Sequence, residues 1–198
     1  MHKLLATICS MLAVLGFSYL TLFIISNLYS PAADRVPFLN SDRVISKKVE
    51  QLRPLFDKYA RQCHLADKTN LLMAMAMQES KGEAVDIMQA SESEGLPKDT
   101  IKNAKDSIRV GTHYFKRALQ RAHGDIRLAL QSYNFGLGFT DYVMARGGVY
   151  TPELARAFSQ AKAKQLGWTT YGDPHYAEHV LRYYYNEQRK QAFIKNNQ

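Results

Sequence analysis

The densest apolar stretch of the chain, residues 71–77, has the spacing of a helix. At a helical period, Leu72, Met75 and Ala76 fall on one face, and Glu79 follows one turn later in line with them. A carboxylate in line with an apolar face is unusual, because a charged group is costly to bury. This position makes Glu79 the first candidate for a functional residue.

Gly82 is expected to end this helix, which places Glu79 in the last turn. Burial beside methionines and the negative end of the helix dipole both disfavour an ionised carboxyl group there, so both raise its pKa. A glutamate that keeps its proton near neutral pH can serve as a general acid. The alternative is a glutamate that pairs with Lys81 or a distant arginine, or that extends from the helix end into solvent.

The rest of the apolar pattern also predicts helices, since alternation at a period of two is nowhere sustained. Helical segments are expected at residues 44–63, with a kink or junction at Pro54, and at residues 108–119, capped by Asp106 or Ser107. Further helices are expected at residues 126–133, 140–146, 151–165 and 175–195. Residues 81–103 lack sustained periodicity, and such a long loop is usually functional. We therefore predict an all-α domain whose chemistry lies between its helices.

The N-terminal part has a different character, because no charged side chain occurs from residue 4 to residue 29. This run exceeds the roughly 7–15 apolar residues of a signal-peptide core and the about 20 residues that cross a bilayer as a helix. We predict an uncleaved signal anchor, a transmembrane helix, at residues 1–30. Cleavage near Ala33 is the alternative, whereas lipidation at Cys9 is disfavoured because Ile8 stands where a small residue is required.

Residues 31–43 are polar and contain proline, so they are expected to form a linker before one folded domain at residues 44–198. Basic residues after the apolar run outnumber those before it, which by itself argues against an external domain. Long domains are translocated largely regardless of flanking charge, however, so the chemistry of the domain must decide its location.

The composition narrows the class of protein without selecting one. The chain has 26 Lys and Arg against 18 Asp and Glu, a formal net charge of +8, with the basic residues interspersed among acidic ones. Such a surface suits polyanions in general, including nucleic acid, anionic lipid and teichoic-acid-bearing cell wall. The two cysteines provide neither a disulfide framework nor a metal-ligand cluster, so no metal and no cofactor is expected.

Three short motifs follow one another along the chain: Met77-Gln-Glu-Ser80, Asp86-Ile-Met-Gln-Ala-Ser91 and Ala129-Leu-Gln-Ser-Tyr-Asn-Phe-Gly136. Together they resemble the signature of the goose-type lysozyme and soluble lytic transglycosylase superfamily. With the loop at residues 171–174, they resemble more narrowly the membrane-anchored lysozyme-like domain of cell-wall hydrolases carried by conjugative transposons of Gram-positive bacteria. The resemblance extends over residues 45–185.

This resemblance implies a lysozyme-like fold and a defined substrate, the glycan strand of peptidoglycan, cut between N-acetylmuramic acid and N-acetylglucosamine. It assigns the general acid to Glu79 and the position that commonly orients the acid to Ser80. Substrate contacts are implied for residues of all three motifs: Ser80, Met88, Gln89, Ser91, Tyr133 and Asn134. It also implies a single-pass protein of the cell membrane whose catalytic domain faces the cell wall from outside, with conjugation or secretion machinery as a candidate partner.

Elementary chemistry gives separate reasons for the same layout. Breaking a glycosidic bond needs a protonated acid at the leaving oxygen, and its oxocarbenium-like transition state needs nearby dipoles or charges. Gln89 and Asn134 supply neutral hydrogen bonds that suit acetamido groups. Aromatic side chains such as Phe135, Tyr142 and Trp168 suit sugar rings, although each of them is more often a core residue.

The chain departs from the transglycosylase pattern where Asp86, instead of a glycine, precedes Ile-Met-Gln. An inverting hydrolase requires a second carboxylate to activate water, whereas a transglycosylase uses a hydroxyl of the substrate itself. Asp86 is our candidate for this base, which favours hydrolysis. The alternative is an aspartate that caps a turn of its own loop. Glu83, Glu92 and Glu94 lie in the same loop and compete for the role, although we expect their side chains to be solvated.

Two further classes of function remain open at this point. A non-catalytic glycan-binding scaffold of a secretion assembly would have little use for an acid in line with an apolar face. A membrane-tethered DNA-binding protein would need a helix with Arg, Lys and Asn on one exposed face, for which Arg117 and Arg121 are the best candidates. We do not expect nucleic acid as a partner. We therefore predict an N-acetylmuramidase, with a lytic transglycosylase as the nearest alternative.

Overall fold

The structure, a computed structural model, describes residues 44–97 and 100–196. The predicted anchor at residues 1–30 and the predicted linker at residues 31–43 lie outside the described residues. Within the described ranges, no helix has the length and apolar character needed to cross a membrane.

The described residues form α-helices and short 3₁₀ turns, with no strand among them, so the prediction of an all-α domain is confirmed. The first helices are α1 (Lys47–Gln51), α2 (Arg53–Gln62) and α3 (Thr69–Ser80), and after a long loop comes α4 (Ala104–Arg121). The remaining helices are α5 (Ile126–Phe135), α6 (Gly138–Met144), α7 (Pro152–Leu166) and α8 (Tyr176–Asn196). The 3₁₀ turns are Ala66–Lys68 and Glu92–Glu94.

Helix α3 lies at the centre of the domain. Its residues from Leu71 to Met77 are all buried, so the helix is enclosed on every side rather than on one face. A helix that is apolar all round is expected in the interior of a domain. It packs most extensively against α8, and also against α2. The last turn of α3 extends beyond this core, and Glu79 lies in that turn, at the edge of the core.

The observed helix ends agree only in part with the ends and caps predicted from the sequence. Pro54 stands in the first turn of α2, so the predicted junction is confirmed. Helix α4 is capped by Asn103, whose side chain accepts a hydrogen bond from the Asp106 backbone at 2.8 Å, so the predicted cap at Asp106 or Ser107 was wrong. The left-handed residue that ends α3 is Lys81, with φ 56°, one position before the predicted Gly82.

Helices α5, α6 and α7 enclose aromatic rings on which the loop before α8 rests. Phe139 lies 5.2 Å from Phe135 and 5.1 Å from Phe158, measured between ring centroids. The Tyr171 hydroxyl donates to the Phe135 carbonyl at 3.1 Å, and the Ser159 hydroxyl donates to the Tyr171 carbonyl at 2.8 Å. These bonds fix the loop against the end of α5.

Candidate active site

A cleft of about 430 Å³ opens where the last turn of α3, the end of α5, the 3₁₀ turn Glu92–Glu94 and the loop before α8 meet. It is lined by Glu79, Gln89, Glu92, Ser93, Tyr114, Tyr133, Asn134, Phe135, Gly136, Trp168, Tyr171 and Gly172. Four of the residues predicted from the motifs are among them: Glu79, Gln89, Tyr133 and Asn134. Four others are not: Ser80, Asp86, Met88 and Ser91.

The surroundings of the Glu79 carboxyl group favour its protonated form over its ionised form. Burial raises its pKa to about 7, and the negative charges of Asp86, Glu92 and Asp173 act in the same direction. A hydrogen bond from the Tyr176 hydroxyl to Glu79 Oε1, at 2.6 Å, opposes this rise. The raised pKa expected from the sequence is confirmed, with burial as its main cause. At neutral pH a large fraction of Glu79 therefore carries a proton into the cleft.

Tyrosines on α5 and α8 hold the wall behind Glu79. Tyr176 is buried, and its ring lies 6.3 Å from that of Tyr133, with an interplanar angle of 15°. Burial raises the pKa of both phenols well above the usual value, so both hydroxyls are donors at neutral pH. The Tyr133 hydroxyl donates to the Met88 carbonyl at 2.9 Å. Tyr133 therefore supports the cleft floor through Met88, while Tyr176 touches the acid.

Ser80 ties the end of α3 to the loop that follows it. Its hydroxyl donates to the Ile87 carbonyl at 2.8 Å and accepts from the Gly82 backbone N–H at 3.2 Å. The resemblance gives Ser80 the task of orienting the acid. Because these bonds fix the backbone that follows Glu79, Ser80 can orient the acid through the loop.

Asp86 is buried, with 2% of its surface exposed, and its carboxylate accepts four hydrogen bonds. The donors are the backbone N–H groups of Ala90 and Ser91, each at 2.9 Å, and the hydroxyls of Ser91 and Ser107, each at 2.6 Å. Burial acts to raise the pKa of Asp86, but these donors outweigh it and hold the pKa below its ordinary value. The role of base stays a prediction, and this geometry favours the alternative, a carboxylate that caps a turn.

The turn around Asp86 shapes one wall of the cleft. Gln89 has φ 47°, a left-handed conformation that is uncommon for a residue other than glycine, and its side-chain amide donates to the Asp86 carbonyl at 3.0 Å. Met88 is fully buried and its N–H donates to the Ser107 hydroxyl at 2.9 Å. Gln89 therefore reaches the cleft because the residues on either side of it are fixed.

The opposite wall depends on a close contact between α5 and the loop before α8. The Asn134 side-chain carbonyl accepts from the Asp173 backbone N–H at 2.7 Å. A Cβ atom added to Gly172, which has φ 58°, would lie 2.6 Å from that carbonyl oxygen, so only glycine fits. Asn134 thus holds the loop as well as lining the cleft, a task that the motif did not reveal.

Sequence reasoning missed the acid's direct partner, Tyr176, and underrated Glu92. Tyr176 lies almost a hundred residues from Glu79 along the chain, so no local spacing relates them. The sequence presents Glu92 as a competitor for the base that is expected to be solvated. The structure confirms its exposure and adds its place in the cleft. Trp168, expected to suit sugar rings, is 59% exposed, and its ring lies 6.1 Å from Tyr171 at an angle of 25°. Among the described residues, no group of three or more His, Cys, Asp and Glu side chains could hold a metal ion.

The sequence matches the family model described as Lysozyme-like over residues 46–194. The Bacillus subtilis (strain 168) protein named Bifunctional muramidase/DL-endopeptidase CwlT is 52% identical over 139 residues, which cover 70% of this chain and 42% of that protein. Uncharacterized membrane protein YocA of the same strain is 31% identical over 130 residues, covering 64% of this chain and 58% of YocA. This chain therefore spans less than two thirds of either relative.

A solved structure shares the fold. It is a protein from Staphylococcus aureus subsp. aureus Mu50, described as similar to a lipoprotein of the NLP/P60 family. Its TM-score against this chain is 0.65 at 35% sequence identity, and the match covers 71% of this chain and 53% of that one.

Proposed function

The chain belongs to the lysozyme-like family, and from this premise we propose that it is a peptidoglycan glycan-strand hydrolase with N-acetylmuramidase activity, in which Glu79 is the general acid. The observation that carries the proposal is a carboxyl group with a pKa of about 7 in a cleft of sugar-binding size and composition. The 52% identity to a protein named as a muramidase supports the same activity.

The geometry supports a different role in this reaction for each group of cleft residues. Protonated Glu79 donates its proton to the glycosidic oxygen as the bond to the muramic acid C1 breaks. Negative charges at Glu92 and Asp173, close enough to influence the pKa of Glu79, also suit the positive charge that develops on the sugar ring. Exposed Trp168 and its neighbour Tyr171 offer aromatic faces to the rings of the strand.

A lytic transglycosylase is the second candidate, and one observation favours it. The Asp86 carboxylate is occupied by four donors, so it is poorly placed to accept a proton from water. A transglycosylase needs no such base, because a hydroxyl of the muramic acid attacks its own C1. The choice between the two reactions therefore depends on whether another group in the cleft activates water.

The location of the enzyme belongs to the same proposal. We place the catalytic domain outside the cell membrane, facing the wall, because the proposed substrate is found there and the apolar run at residues 4–29 is long enough for an anchor. Local opening of the wall for conjugation or secretion machinery is the biological role that we attach to it.

The test is mass analysis of the fragments that the purified full chain releases from peptidoglycan. A muramidase leaves reducing N-acetylmuramic acid ends, which take up the mass of one water molecule, whereas a transglycosylase leaves 1,6-anhydro ends. Reducing ends are the expected result. The absence of any glycan fragment would contradict the proposal and point to a glycan-binding scaffold.

A further inference from the structure

Besides Glu79, the described lining of the cleft includes a second acidic residue, Glu92. It differs from Asp86 in its exposure and in its hydrogen bonding. Among the described residues that line the cleft, Glu79 and Glu92 are the acidic ones. Glu92 is exposed, and no described residue makes a hydrogen bond or an ion pair with its carboxylate. Its negative charge is nonetheless close enough to raise the pKa of Glu79. Among the described residues, none competes with a water molecule in the cleft for its lone pairs.

Three other described acidic residues, Asp86, Asp173 and Glu83, do not combine a place in the cleft lining with a carboxylate that lacks a partner. Asp86 accepts four hydrogen bonds and does not line the cleft. Asp173 accepts from the His175 backbone N–H at 2.9 Å, and its other carboxylate oxygen lies 2.7 Å from the His179 ring nitrogen. Glu83 pairs with Lys48 at 2.5 Å, on an exposed surface.

The turn that carries Glu92 is held in place by Asp86. Ser91, which directly precedes Glu92, donates its N–H and its hydroxyl to Asp86, and its hydroxyl accepts from the Ile101 N–H at 3.0 Å. The turn then closes on itself, because the Gly95 N–H donates to the Glu92 carbonyl at 3.0 Å. Asp86 can thus be essential to the site without touching substrate.

Resting on the proposed function, we propose that Glu92 is the catalytic base of the reaction and that Asp86 is a positioning residue. A water molecule between Glu92 and the sugar attacks the muramic acid C1 while the bond from C1 to the leaving oxygen breaks. The Glu92 carboxylate takes a proton from this water, and Glu79 gives its proton to the leaving oxygen. The balance is the addition of one water molecule, with an inverted configuration at C1.

The experiment measures kcat and KM for release of reducing ends from peptidoglycan by four full-length proteins: the wild type, Glu92→Gln, Glu92→Ala and the control Glu83→Gln. We expect Glu92→Gln to lower kcat by roughly 100-fold or more with little change in KM, since a positioned general base contributes about 10²–10⁴-fold. Glu83→Gln removes the same charge from the same loop outside the cleft and should keep wild-type rates.

Rescue of activity by an added nucleophile distinguishes a catalytic role of Glu92 from a structural one. Added azide should restore cleavage by Glu92→Ala, where the missing side chain leaves room for it, and should yield a glycosyl azide that mass analysis detects. A loss that azide does not restore, or a wild-type kcat in Glu92→Gln, would overturn the role of Glu92. Anhydro ends from the wild type would overturn it as well, because that reaction activates no water.

The proposed function fails separately from this inference. If Glu79→Gln remains active, Glu79 is not the acid, and the muramidase mechanism falls whatever Glu92 does. If Glu79→Gln is inactive while Glu92→Gln is unaffected, the acid stands and only the base assignment is lost.

Discussion

Glu79 in the last turn of α3 and Asp86 in the loop after it are seven residues apart, yet the pKa values of their carboxyl groups are shifted in opposite directions. Asp86 has the smaller exposed surface of the two, but it accepts four hydrogen bonds and its pKa lies below the ordinary value. Among the described residues, Glu79 has a single side-chain hydrogen-bond partner, Tyr176, and its pKa rises to about 7. Burial acts upward on both pKa values. At Asp86 four donors outweigh it, whereas at Glu79 one donor does not, and nearby negative charges add to the rise.

This difference separates a structural carboxylate from a chemical one. A carboxylate whose lone pairs are filled by backbone and hydroxyl donors stabilises a turn, and it has little capacity left to exchange protons. A carboxyl group that is buried beside few donors keeps its proton and can release it to a substrate. The same residue class therefore serves the fold at Asp86 and the proposed reaction at Glu79.

The largest effect is expected from Glu79→Gln, which removes the proton donor and keeps the shape. We expect hydrolysis to fall by about 10²–10⁴-fold, since general acid catalysis contributes that much. Peptidoglycan binding should persist. The measurements are reducing-end release for activity and pull-down with insoluble peptidoglycan for binding.

The pH dependence of the unfolding free energy tests the raised pKa of Glu79 independently of activity. The folded pKa of Glu79, about 7, lies above the unfolded value, so the wild type loses stability as the pH rises from about 4.5 through 7. Glu79→Gln escapes this loss, and should be more stable than the wild type at pH 8 by up to about 3 kcal/mol. Denaturant unfolding at pH 5 and pH 8 measures the gain. Equal pH dependence of the two proteins would contradict the raised pKa.

The next effect in size is that of Asp86→Asn, which should act mainly on the fold. Asparagine can accept part of the four hydrogen bonds but offers a neutral oxygen and an unwanted donor. We expect a loss of about 2–4 kcal/mol of unfolding free energy at pH 7, which denaturant titration measures. Ser107→Ala, which removes one donor to Asp86, is the milder companion variant, with about 1 kcal/mol expected.

The pH dependence of this loss distinguishes a turn anchor from a base. Because the folded pKa of Asp86 is lowered, its contribution is present above the unfolded pKa of about 3.9 and is lost as the pH falls through the folded value. The gap in stability between wild type and Asp86→Asn should therefore close in strong acid. Wild-type stability combined with a severe loss of kcat in Asp86→Asn would instead make Asp86 the base.

The contrast also shows how far the sequence alone reaches. The periodicity of residues 71–77 and the position of Glu79 in line with it were enough to predict the helix and the raised pKa. The partners of the two carboxylates were out of reach, since Tyr176 and Ser107 are brought in by other helices. Asp86 could be read as a base or as a turn cap, because spacing gives no count of donors.

Loop geometry limited the prediction in the same way. Asn134 was expected to face substrate, and it does line the cleft, but its carbonyl oxygen is used by the backbone of Asp173. That contact requires Gly172 to approach within a distance that no side chain would allow. A motif shows which residue types recur together, whereas a close backbone approach exists only after the helices have packed.

The smallest effect is expected from Tyr176→Phe, which removes one hydrogen bond and leaves the ring. The Tyr176 hydroxyl lowers the pKa of Glu79 by stabilising its ionised form, so without it that pKa rises. Because the protonated form is the active one, the basic limb of the kcat–pH profile should move to higher pH. Below the wild-type pKa of about 7, kcat should change by no more than roughly threefold. Tyr183→Phe, on a second buried tyrosine of α8, is the matched control and should leave the profile in place. A shift to lower pH in Tyr176→Phe would mean that Tyr176 favours the protonated acid. The contrast between Glu79 and Asp86 would then no longer follow from donors that stabilise the ionised form.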